Sequence, residues 1–396
     1  MKKLRFHTTV KNNKSKCVKM HIGKADGNCP TLKVHGTILH EVTEELYLGD
    51  VISSDGKNTK NIKTRISKGI GIISQILNIL SSTSFGSHYF KIALLLRESL
   101  LVSGVTTNAE VWHNFSESEM TELESLDKLF FRRLLGVPKS TPTESFYLEL
   151  GAIPMGIMIK ARRVNYLHSI LSRDPGSMLY KFFVAQCNSP CKGDWSEMVK
   201  QDLEDFDIPT SFDFIKSKSK GAFKRLVKQK ARAYALKKLK SIQQKHSKMK
   251  KLQYEDIQVQ TYFTRFDINT EQKKLIFKYR TKMAEFGENY RGGREQILCP
   301  LCNKHIDKQE LSYSCTIINS NMKIEGEIDD IYSDHINKQT VETIQKITDI
   351  RKLYKESQST LPQQAHVSLG VEDSSEPSAA QDLMSHSVLF SHEILD

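Results

Sequence analysis

The sequence predicts a mainly α-helical protein with a small N-terminal β segment, a compact cysteine-rich unit near residue 300 and a disordered C-terminal tail. Three observations predict it. Short β-type runs bounded by turn residues are confined to the first 55 or so positions of the 396-residue chain. Beyond them, apolar residues recur every three or four positions for some 200 residues, the period of an amphipathic helix. From about residue 355 the string "ESQSTLPQQAHVSLGVEDSSEPSAAQ" is polar, rich in Ser and Gln, and without period.

In order along the chain, "TLKVHGTILHEV" and "LYLGDVIS" read as strands or hairpins, set off by the turn signals "ADGN" and "SSDGK". Helix follows, with Ile62, Ile66, Ile70, Ile73, Leu77 and Leu80 as its apolar face and Gly69 and Gly71 weakening it unless close packing or a bend requires them. Further helices are expected at "HYFKIALLLRESLLVSG", at "ESEMTELESLDKLFFRRLLG" between a Ser116 cap and a Gly136 stop, at "PMGIMIKARRVNYLHSILSR", at "DWSEMVKQDLEDF" and at "TEQKKLIFKYRTKMAEFG". No repeat of fixed period stands out, which argues against a solenoid. Trp112 and Trp195 read as core anchors.

Charge is distributed unevenly. The chain carries 58 Lys and Arg against 46 Asp and Glu, a net +12. Residues 321–396 hold 14 acids and 6 bases, so they carry −8 and the first 320 residues carry +20. Between Lys216 and Lys251 stand 15 Lys or Arg and no acid, with Phe223, Leu226, Ala233, Leu236, Leu239 and Ile242 at helical intervals. Such a basic amphipathic helix repels itself unless an anion is near, which points to RNA, DNA or another polyanion as partner. No apolar run is long enough to span a membrane, and "MKKLRFHTTVKNNKSK" lacks the apolar stretch of a secretory signal. A nuclear or cytoplasmic location is expected, not a secreted one. Seven cysteines at uneven spacing do not form a disulfide framework.

Metal is the expected use of one group of them. In "ILCPLCNKHIDKQELSYSC", Cys299 and Cys302 offer two thiolates from one tight turn, and His305 and Cys315 are candidates for the other pair of a tetrahedral Zn²⁺ site, C-x2-C-x2-H-x9-C. Asp307 could accept the free ring N–H of His305. Just before it, Tyr290, Arg291 and Arg294 in "ENYRGGREQ" suit stacking on a base and holding its backbone.

The stretches "LYLGDVISSDGKNTKNIKTRISKGIGIISQI", "SLLVSGVTTNAEVW", "YLELGAIPMGIMIKARRVNYLHSIL", "CKGDW" and "FGENYRGGREQILCPLCNKHIDKQE", in that order, resemble the C-terminal half of the reverse-transcriptase polyprotein of non-LTR retrotransposons, most closely the Dong type. The resemblance implies a palm-end β segment over 1–57, a thumb-like helical bundle over 58–136, a helical basic connector over 137–290, a Cys/His knuckle over 291–320 and an acidic, partly disordered tail over 321–396. It implies that Lys14 or Lys16 lies near an incoming nucleotide, that the Tyr47–Asp50 hairpin grips a primer end, and that Lys60, Lys63, Arg65 and Lys68 meet the phosphates of a template-primer duplex. On the basic helix, Lys224, Arg225, Lys228, Arg232, Lys237 and Lys238 are the expected phosphate contacts. Related knuckles often place a histidine four or five residues before the last cysteine, where this chain has Leu311 and Glu310.

Nucleotidyl transfer needs two metals held by aspartates. The one adjacent Asp pair is Asp329–Asp330, inside the acidic segment. The expectation is therefore a catalytically incomplete, nucleic-acid-binding remnant and not an enzyme. The alternative is a helical interaction protein, or a fragment without a nucleic-acid role, whose basic helix binds its own acidic tail; removing residues 321–396 would separate the two.

Overall fold

The computed structural model describes residues 17–22, 31–34, 36–112, 116–191, 193–290, 297–321, 328–333 and 335–359. Lys14, Lys16, Arg291, Arg294 and the tail from residue 360 lie outside them, as does the Tyr290 side chain. The rest is mainly helical, with six short strands at the start.

The strands pair as three two-stranded ribbons. β1 (Val18–Lys19) runs parallel to β4 (His40–Glu41), and β2 (Lys33–Val34) and β3 (Thr37–Ile38) form a tight hairpin at Gly36. β5 (Glu44–Tyr47) and β6 (Asp50–Ser53) form the longest ladder, with Tyr47 opposite Asp50. Their two-residue turn, Leu48–Gly49, has positive φ at both positions, the geometry whose twist matches that of the strands.

α1 (Thr59–Ser82) leaves this segment and packs along α4 (Glu117–Leu135). Its buried seam is Ile62, Arg65, Gly69, Ile73, Ile76 and Leu80, while Ile70 is exposed. The seam therefore departs from the all-aliphatic face the sequence suggests. Gly69 is in it because a Cβ there would lie 2.6 Å from Leu126 Cδ1 and 3.0 Å from Val105 Cγ2, whereas Gly71 faces open space. α2 (Tyr89–Leu96) runs through a π-helical stretch, Arg97–Val102, into the single turn α3 (Ser103–Val105). α4 begins with the capping box of Ser116 and Glu119 and ends at Gly136 with φ 62°, as its sequence signals.

α5 (Thr143–Leu150), α6 (Met155–Leu171), α7 (Met178–Asn188), α8 (Trp195–Asp205), α9 (Phe212–Lys216) and α10 (Lys220–Gln243) follow, with α6 packed against α4, α8, α9 and α10. α10 buries Phe223, Val227, Ala231, Ala235 and Leu239 against α6 and α5. This corrects the expected stripe: Ala233 is exposed, and Leu226, Leu236 and Ile242 are half-buried. The small alanines let the helices approach closely, and a strict spacing of four makes the stripe precess by roughly 40° per step in a helix of 3.6 residues per turn. Its two ends thereby face different neighbours.

α11 (Thr261–Thr264), α12 (Thr270–Arg280) and α13 (Gly287–Tyr290) lead to the cysteine-rich unit, which ends in α14 (Thr316–Asn321); α15 (Lys338–Ser359) closes the described chain. The chain up to Arg351 forms one unit. Lys352 opens another, whose described part is the end of α15 with its Lys352–Glu356 pair one turn apart.

Two buried ion pairs tie the helices together, Arg97–Asp127 before the boundary expected near 136 and Arg280–Glu149 after it. Arg97 donates Nε to Asp127 Oδ1 at 2.9 Å and Nη2 to Asp127 Oδ2 at 2.6 Å and to the Ile153 carbonyl at 3.0 Å, over the Phe131 ring. Burial works against the Arg97 charge, but Asp127 outweighs it and its pKa is raised. Arg280 shares its Nε–H between the two oxygens of Glu149, which also accepts the hydroxyls of Tyr254 and Tyr262; burial foremost pushes both phenols well above their ordinary range. Trp112 and Trp195 are buried, and Trp195 donates its ring N–H to the Glu110 carbonyl.

Candidate metal centre and nucleic-acid interface

The cysteine-rich unit is built on a reversal of the chain at Cys299–Asn303. Leu298 and Ile306 pair as an antiparallel bridge, and the N–H of Asn303 donates to the Cys299 carbonyl at 2.8 Å. Asn303 takes the left-handed conformation such a turn needs, with φ 51°, a region asparagine tolerates. Cys315 stands at the entry to α14. The reversal and the helix start bring the sulfurs of Cys299, Cys302 and Cys315 within 4.8 Å of one another, with Cys299 and Cys315 3.9 Å apart. Three thiols so placed can hold a metal ion.

Backbone N–H groups complete the sulfur environment. Those of Lys304 and His305 donate to Cys302, and those of Ile317 and Ile318 to Cys315. Burial opposes the Cys302 thiolate, yet these donors and the neighbouring thiols bring its pKa below the ordinary thiol value. Burial pushes Cys315 up to about 11. Of these two, the first thiolate to form is therefore that of Cys302.

His305 does not join the three sulfurs. Its backbone serves the unit instead, because its carbonyl accepts the Cys299 N–H. Asp307, expected to orient His305, is buried and bidentate to Arg351 at 2.8 and 2.9 Å, and it accepts the Gly287 N–H at 2.7 Å. It fastens the knuckle to α13 and α15. Glu310 pairs with Lys282 at 3.1 Å, and Leu311 is exposed.

The expected phosphate contacts divide into three groups. Arg65 is buried in a network around Asp50, donating to Asp50 at 2.8 Å and to the Gly104 carbonyl at 3.0 Å. Asn61 and Asn108 complete that network, the latter from a left-handed backbone at φ 59°. Arg65 is thus committed to joining the β5–β6 hairpin to α1. Lys60 pairs with Glu44, Arg232 with Asp256, and Lys237 and Lys238 interact with Asp207 and Glu124 respectively. The third group is exposed, with no acid paired to it among the described residues: Lys63 and Lys68 on α1, and Lys224, Arg225 and Lys228 on α10. Lys220, which the sequence did not single out, extends that row at the start of α10.

The hairpin tip projects Leu46, Tyr47 and Leu48, each more than 60% exposed, beside a hollow of about 460 Å³ floored by Asp50, Asn61 and Asn108. Among the described residues no helix is long and apolar enough to cross a membrane. No known family profile matches the chain, and no curated protein or solved structure is significantly similar to it.

Proposed function

We propose that this chain binds RNA or DNA through its phosphate backbone, as a non-catalytic remnant of a non-LTR retrotransposon reverse transcriptase. The observation that carries the reading is the row Lys220, Lys224 and Lys228, spaced i, i+4 on α10, with Arg225 beside it. Like charges one turn apart destabilise a helix by a few tenths of a kcal/mol each. From Lys230 onward the same helix meets Asp207, Asp256 and Glu124 through Lys230, Arg232 and Lys238, whereas its cations from Lys220 to Lys228 have no acid paired to them among the described residues and are left for an external polyanion. Asp330 does not act as a metal ligand in this reading, since it accepts from the Asn337 N–H and the Thr340 hydroxyl at the start of α15.

The test is fluorescence anisotropy with a labelled oligonucleotide over a range of salt. Log K should fall with log salt by roughly 0.7 to 0.9 per phosphate neutralised. Replacing Lys220, Lys224, Arg225 and Lys228 together by Gln should flatten that slope and abolish most of the affinity. Affinity independent of salt, or absent at low salt, sinks the reading. Primer extension by the chain alone should yield no product.

The metal in this reading is Zn²⁺ at Cys299, Cys302 and Cys315. A tetrahedron of sulfurs at roughly 2.3 Å from zinc has edges of roughly 3.8 Å, which the 3.9 Å separation of Cys299 and Cys315 matches. Zinc there would brace the knuckle and take no part in chemistry. The fourth donor would be His305 after a local adjustment, or solvent.

A further inference from the structure

Three hollows meet around the short 3₁₀ turn Ala109–Val111. One of about 560 Å³ is lined by Arg162 and Tyr166 from α6 and by Lys220 and Lys224 from α10. A second, of about 200 Å³, is apolar and includes Phe182, Phe183 and Trp195. The third is the hollow beside the hairpin tip. Tyr166 lines the first two, Asn108 the first and third, and Val111 the second and third. The walls are thus basic on one side and aromatic on the other, with one tyrosine between.

The basic wall is built from cations that the fold leaves available. Arg162 donates one nitrogen to the Thr106 carbonyl at 2.8 Å and to its hydroxyl at 2.6 Å, so the guanidinium is fixed in place, and among the described residues no acid is paired to it. Its neighbour Arg163 shows the other fate: it is buried against Asp202 at 3.4 Å. Lys220 and Lys224 are exposed. Glu110 is the one acid of the lining; as an acceptor it suits a sugar hydroxyl or a base amino group, and it keeps phosphate to the Arg162 side. Tyr166 is half-buried, held edge-on to Trp195 with ring centroids 5.9 Å apart. The exposed Phe182 ring, 64% accessible, continues the aromatic wall.

We infer that this groove takes single-stranded nucleic acid, with phosphates on Arg162, Lys220 and Lys224 and an unstacked base on Tyr166. The inference rests on the polyanion reading of α10 and adds a strand preference to it. A cationic track beside an aromatic platform is the chemistry of single-strand recognition, because only an unpaired base offers its face to a ring. A duplex keeps its bases stacked inside and can meet the cations alone.

The experiment compares a labelled 12-nucleotide oligouridylate with a labelled RNA hairpin of equal charge, using the full chain. Tyr166→Leu should weaken single-strand binding about tenfold, in line with roughly 1 to 3 kcal/mol per stacked base, and leave hairpin binding unchanged. Tyr166→Phe should retain wild-type affinity, since the ring and not the hydroxyl stacks. Because Tyr166 also packs on Trp195, the exposed pair Lys220→Gln/Lys224→Gln gives a second readout with little risk to the fold: it should lower single-strand affinity more than Lys63→Gln/Lys68→Gln does. A chain that binds both probes equally, with Tyr166→Leu changing neither, overturns the strand preference and leaves the phosphate reading standing. A chain that binds neither probe at low salt overturns both.

Discussion

Two carboxylates illustrate how differently one kind of group is used in this fold. Asp50 is held below its ordinary pKa: burial opposes the charge, but donors from Asn108, Arg65 and Asn61 outweigh it. Its contribution to stability is therefore present above the unfolded-state value near 3.9 and is lost as pH falls through the folded value. Asp50→Asn should lower the melting temperature at pH 7 and make little difference at the acid end of a thermal-melt series. Glu124 is the reverse case, raised foremost by burial, with Lys238 only partly relieving it. Its folded form prefers the proton, so stability falls as pH rises through that window. Glu124→Gln should leave stability equal or higher at neutral pH and erase that part of the pH profile. At the metal centre, Cys299→Ser or Cys315→Ser should remove the thiolate-to-cobalt absorption that the unaltered chain develops on titration with Co²⁺, and lowering the pH should weaken metal uptake because each thiol must first lose its proton.

At the scale of elements, the crossing of α1 and α4 is the sharpest case. Gly69→Ala should destabilise by about 1 to 3 kcal/mol through overpacking against Leu126 and Val105, while Gly71→Ala, into open space, should stabilise by about 1 kcal/mol through helix propensity. Denaturant unfolding of the two variants side by side measures the contrast. Features that depend on neighbours in sequence were legible from it: the Ser116 cap, the Gly136 stop, the β5–β6 hairpin and the Cys299–Cys302 turn. Features that depend on distant partners were not. Arg65 has the spacing of an exposed helix residue, and only the arrival of Asp50 and Gly104 makes it a buried strut. The stripe on α10 was misplaced for a related reason: Ala231 and Ala235 say nothing about burial by themselves, and it is α6 and α5 that select them. His305 has the right residue type at a plausible spacing, but the bridge between Leu298 and Ile306 turns its backbone toward the sulfurs.

For the molecule as a whole, the decisive quantity is how its excess positive charge is divided between internal acids and exposed rows. The sequence shows a 36-residue block without an acid, which suggests a single role for all of it. The fold splits the block, because Asp207, Asp256 and Glu124 reach it from other elements and meet only part of it. Breaking a buried pair is a different matter from trimming an exposed row. Asp127→Ala should cost about 3 to 5 kcal/mol in urea unfolding, since it strands the Arg97 guanidinium among α2, α4 and the Ile153 carbonyl. Asp307 poses the same hazard at the far end of the chain. Its counterion, Arg351, stands inside the acidic stretch that charge counting alone would treat as a removable appendage. A chain cut at 320 would lose the knuckle's clamp together with its tail, and weakened binding would then report damage and not autoinhibition. The informative shortening ends at residue 359, which keeps α15 whole and still removes six acids, Glu372, Asp373, Glu376, Asp382, Glu393 and Asp396.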